Sequence, residues 1–153
     1  MRTATQAKLV STDDLCSAYT KTLSDEDRRN KFPLPGFSGD PSENTLTADE
    51  RVDLQTTSAK SLWPEISKMI IAAVENGQDL VIEGVHILPG FVRELMNQCG
   101  SEKITALFLG QDDADQVVDG IMKNTSPDNW MRESDPAVIR QVAEFVAAFS
   151  RRI

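Results

Sequence analysis

The chain has 153 residues, 40% of them hydrophobic and 26% charged, so it can bury one core and is too apolar to be read as disordered. A formal net charge of −8 argues against a general nucleic-acid or anionic-membrane binder, because counterion release needs a basic face. One histidine and two distant cysteines, Cys16 and Cys99, offer no zinc-type spacing, and with no apolar leader or membrane-length run the expected compartment is the cytoplasm.

Residues 7–10 are a short apolar run that reads as a buried strand. Ser11, Thr12, Asp13 and Asp14 follow it, all good N-cap residues for a helix. About seventy residues then separate Val10 from Leu80, more than twice the ~30 of a βαβ unit. The surplus includes an irregular stretch, 24–44, with Pro33, Pro35, Gly36, Gly39 and Pro41 among charges. It reads as an insertion between two strands of one sheet, either a substrate lid or a plain surface loop. Its basic cluster of Arg28, Arg29 and Lys31 reads as solvated charge, as do Arg151 and Arg152 at the other end.

Thr47 and Glu50 have capping-box spacing and start a helix that Pro64 is expected to kink or split. Ile66, Met69, Ile70 and Ala73 continue the helical period, and Gly77 stands where a C′ glycine would end it. Residues 80–82 form the second strand, followed by Glu83, Gly84, Val85 and His86. The run ITALFL at 104–109 is apolar on both parities, as expected of a third strand covered on two faces. Asp112 and Asp113 after it read as helix-start residues rather than ligands, ahead of an amphipathic stretch marked by Val117, Val118, Ile121 and Met122. The last helix has Asp135 as its cap, Pro136 in its first turn, and Val138, Ile139, Val142, Phe145, Val146 and Phe149 on its apolar face. Trp63 and Trp130 read as packing residues. Strands alternating with helices predict an α/β fold: one domain over 1–153, a three-layer parallel sheet with helices on both faces.

In such sheets ligands bind beyond the carboxyl ends of the strands. Asp13 and Glu83 are therefore the candidate catalytic carboxylates, able to orient a hydroxyl, accept its proton, or hold magnesium through water. His86 reads either as a substrate contact or as a hydrogen-bonded structural residue. None of the eight glycines is followed by lysine, so the sequence holds no G-x-x-x-x-G-K-[ST] loop, and no G-x-G-x-x-G either.

The blocks LWPEI at 62–66, MI at 69–70, ENG at 75–77 and LVIEGVHILPG at 80–90 resemble the centre of the 2-phosphoglycerate kinase-like group of P-loop kinases. Val10-Ser11-Thr12-Asp13 resembles that group's second strand, and Asn129-Trp130 with the helix after it resembles the lid of small ATP-binding relatives. The resemblance implies ATP-dependent phosphoryl transfer, with Mg²⁺, to a small hydroxylated or phosphorylated acceptor. It casts Asp13 as acceptor-side base, Glu83 as the strand-end acid with a water-mediated hold on magnesium, Thr12, Gly84 and His86 as acceptor contacts, and Arg132 as the lid arginine on the transferring charge. The sequence departs from the group at Cys16, where relatives carry a basic residue, and in lacking the Walker A segment, a central first strand and a last strand. The implied fold is thus P-loop NTPase-like but incomplete at both ends, with activity expected to be impaired. The alternative is an inactive kinase-like remnant serving as a binding or regulatory module. Unpaired strands would favour self-association.

Overall fold

The computed structural model describes residues 7–40, 42, 45–127 and 129–153, and for Trp130 the backbone only. Residues 1–6, and Pro41 and Asn44 of the 24–44 stretch, lie outside the described residues, as does the side chain of Trp130 that was read as packing. The elements in order are β1 (Lys8–Ser11), α1 (Thr12–Thr20), α2 (Asp25–Lys31), α3 (Ala48–Glu75), β2 (Leu80–Glu83), α4 (Pro89–Cys99), α5 (Ala114–Lys123), a 3-10 turn (Trp130–Glu133) and α6 (Pro136–Arg152). They fall into two compact units, Met1–Pro33 with Gln55–Leu107, and Leu34–Leu54 with Phe108–Ile153.

The expected three-layer sheet is corrected by this structure, which is 60% helical. Among the described residues the sheet has two strands, β1 and β2, paired in parallel. Residues 104–109, expected as a third strand, belong to no strand, and Leu107 and Leu109 are 82% and 84% exposed. The reason is physical: an apolar run becomes a strand only where a neighbour completes its hydrogen bonds, and among the described residues no strand lies beside this one. The P-loop NTPase-like sheet is corrected with it.

In the first unit, Leu62, Ile66 and Ala73 are buried along one face of α3, and Val92 and Leu95 along α4. Trp63 stacks on Phe91 with ring centres 5.0 Å apart, joining the two helices. Pro64 does not split α3, which runs from Ala48 to Glu75. An interior proline costs about 3 kcal/mol. Leu62 and Ile66, fully buried on either side of it, each return about 1.5–3 kcal/mol. At the other end Gly77 (φ 62°) closes the helix in a Schellman arrangement, Gln78 N–H donating to the Ala73 carbonyl and Gly77 N–H to that of Val74. The 24–44 stretch contains α2, capped by Ser24, whose Oγ accepts from Asp27 N–H at 3.1 Å. Acidic residues fill its first turn, and Arg28, Arg29 and Lys31 sit in its last, where the helix dipole favours each sign.

In the second unit Val52, Phe145 and Ala148 form the buried cluster, with Phe37, Ala48, Val146 and Phe149 packed on it. Phe145 lies 5.8 Å from both Phe37 and Phe149, ring centre to ring centre. Buried Arg51 lays its guanidinium 4.5 Å from the centre of the Phe37 ring and donates to the Pro35 carbonyl. The capping box at the start of α3 is complete: Thr47 N–H donates to Glu50 Oε2 at 2.8 Å and Glu50 N–H to Thr47 Oγ1 at 3.2 Å. α5 and α6 pack together, tied by the Arg140–Asp115 ion pair. Asp113 and Asp135 cap them, as the sequence led one to expect. Among the described residues no helix is long and apolar enough to cross a membrane.

Candidate functional site: the exits of the parallel pair

The ladder aligns Lys8 with Leu80 and Ser11 with Glu83, so the chain leaves both strands at one level. From β1 it turns at once into α1, with Ser11 as N-cap accepting from Asp13 N–H at 3.3 Å. From β2 it passes through Gly84, Val85 and His86 toward α4. The first residue of one exit and the third of the other meet. Thr12 is fully buried, His86 is 6% exposed, and Thr12 Oγ1 and His86 Nδ1 share a hydrogen bond at 3.2 Å whose donor is set by the imidazole tautomer.

Gly84 completes this contact by what it lacks. Its φ of 132° suits glycine alone, and a Cβ there would overlap Thr12 Oγ1. Thr12, Gly84 and His86, which the kinase resemblance casts as acceptor contacts, thus form a latch between the two exits. Thr12 spends its hydroxyl on His86.

Asp13 projects from the latch with its side chain 74% exposed, and its Oδ1 lies 3.6 Å from His86 Nδ1. Burial pushes the His86 pKa below its ordinary value, and the nearby Asp13 carboxylate opposes that shift without reversing it. The imidazole is therefore neutral at neutral pH. Cys16, half-buried one turn along α1, has its thiol pushed up by burial and then by Asp13, which keeps it from acting as a thiolate. Asp14 and Glu83 are exposed at the same exits. Arg132 lies in the second unit, exposed on the 3-10 turn.

The chemistry of this donor set is that of hydrogen-bond acceptance: exposed carboxylates beside a neutral imidazole. It does not fit a nucleotide triphosphate, whose charge calls for backbone N–H groups and a lysine. Among the described residues no three His, Cys, Asp or Glu side chains gather as a metal site. What sequence reasoning missed is the latch. Its signal was present in a threonine directly after one strand and a glycine directly after the next. Compared with protein-family models, with curated proteins and with solved structures, the chain finds no match in any of the three.

Proposed function

We propose that the first unit is a binding module that takes a small, uncharged, hydroxyl-rich molecule at the exits of β1 and β2 and does not transform it. The observation that carries this reading is the exposed Asp13 carboxylate held beside the buried, neutral His86. A carboxylate accepts hydrogen bonds from neighbouring hydroxyls, and a rigid latch behind it reduces the ordering cost of binding. Asp14 and Glu83 add negative charge, which disfavours a phosphorylated ligand. The reading corresponds to the remnant alternative of the kinase resemblance. Phosphoryl transfer, with Asp13 as base and Glu83 near magnesium, is supported by that resemblance alone.

Titration calorimetry of the full chain against a panel of sugars and polyols, and separately against Mg-ATP, tests the proposal. Binding of a polyol that weakens about tenfold or more in Asp13→Asn, at unchanged melting temperature, supports it. Binding untouched by that substitution, or no binding across the panel, overturns it. Micromolar affinity for Mg-ATP overturns it in favour of the kinase reading.

A further inference from the structure

Two features of the molecule, neither part of the Thr12–Gly84–His86 latch, are complementary. The first is segment 104–109, apolar on both parities, exposed, and without a ladder hydrogen bond to any described residue. The second is the outer edge of β1, which pairs with β2 on one side and, among the described residues, with no strand on the other. Leu9 on β1 is 68% exposed, and its cross-strand partner Val81 is exposed too. A two-stranded sheet with bare edges is marginal by itself, and an open edge is a template for a further strand.

We infer that the occupant of this edge is segment 104–109 of a second copy of the chain, added antiparallel to β1. Charge selects the partner and its direction. A net charge of −8 opposes indiscriminate association, so contact is favoured only where opposite signs meet. β1 starts at Lys8 and runs out to Asp13 and Asp14, and the segment starts after Lys103 and runs out to Asp112 and Asp113. Antiparallel addition sets residues 106–109 against Ser11–Lys8, with Lys103 at the Asp14 end and the carboxylates of Asp112 and Asp113 past the Lys8 end, away from Asp13 and Asp14. Parallel addition would set four carboxylates side by side. The edge of β2 is excluded on the same ground, because it has Asp79 at one end and Glu83 at the other. Each copy both offers the segment and accepts one, so two exchanges related by a twofold axis close the pair and leave no sticky end.

The test is the mass of the full chain in solution, by sedimentation or light scattering, across the micromolar range. The wild type is expected to dimerise. Leu107→Pro removes an N–H and bars the segment from a sheet while touching no described element, so it should leave circular dichroism unchanged and weaken dimerisation at least tenfold. Lys8→Glu should also weaken it, and adding Asp112→Lys should restore it. A wild type that stays monomeric at 100 micromolar (a concentration of order set by ordinary weak dimers) overturns the inference. A dimer indifferent to Leu107→Pro overturns it as well, and one weakened by Lys8→Glu but not restored by Asp112→Lys overturns the antiparallel arrangement.

Discussion

Gly84→Ala is the most informative single change, because two separable penalties fall on one methyl group. Holding a non-glycine residue at a φ of 132° costs about 1–3 kcal/mol. The new Cβ would also overlap Thr12 Oγ1 and lie 3.0 Å from Thr12 Cβ. Thr12 is fully buried at the first turn of α1, so it can yield only by giving up His86 or shifting the helix. Overpacking of this kind costs about 1–3 kcal/mol. The sum, about 2–6 kcal/mol, is a large share of the 5–15 kcal/mol that holds an ordinary domain together.

A double-mutant cycle separates the two parts. Thr12→Ala alone strips the hydroxyl from buried His86 and should cost about 1–3 kcal/mol. In the Thr12→Ala background the collision with Oγ1 is gone while the backbone strain remains, so Gly84→Ala should cost about 1–2 kcal/mol less there. Urea unfolding of the four full-length proteins, followed by far-ultraviolet circular dichroism, measures all corners. If Gly84→Ala alone lies within about 0.5 kcal/mol of wild type, or if the two changes simply add, the latch is not the constraint argued for it.

His86 provides a pH test free of other histidines, since the chain has one. Its pKa is lowered by folding, so below the unfolded value of about 6.5 the unfolded chain binds more protons than the folded one, and stability falls as pH drops from 7. The slope is at most about 1.4 kcal/mol per pH unit and levels off below the folded pKa. Melting temperatures between pH 5.5 and 7.5 should show this decline in the wild type and a flat line in His86→Gln, and a parallel decline in both would refute it. Asp135 Oδ1 accepts from Ala137 N–H at 2.7 Å at the start of α6, so Asp135→Ala should cost about 1 kcal/mol in urea unfolding and Asp135→Asn much less. Equal losses for the two would refute the cap. Phe145→Ala opens the cluster it shares with Val52 and Ala148 and should cost about 3–5 kcal/mol, read as faster amide exchange in α6. Unchanged exchange there would refute its place in the core.

What the sequence revealed and what it hid divide along the range of the forces involved. Thr47 with Glu50, Gly77, Asp113, and Asp135 with Pro136 each act within a few residues, and each marks a helix end in the structure. Pro64 does not end α3 because its penalty is local, while the burial that outweighs it, on Leu62 and Ile66, depends on tertiary packing. The segment 104–109 misled for the same reason in reverse: its apolar pattern states a preference for being covered, but a strand exists only as half of a pair. The site shows both behaviours. A carboxylate after each strand could be read directly, and the observed parallel register of β1 and β2 brings the two exits level. That Thr12 faces inward and occupies the space Gly84 leaves could not be read, because it depends on the close approach of residues 72 positions apart in the chain (84 minus 12). Sequence spacing therefore puts Asp13 among the candidates, whereas Thr12, Gly84 and His86 are seen joining the two strand exits to each other.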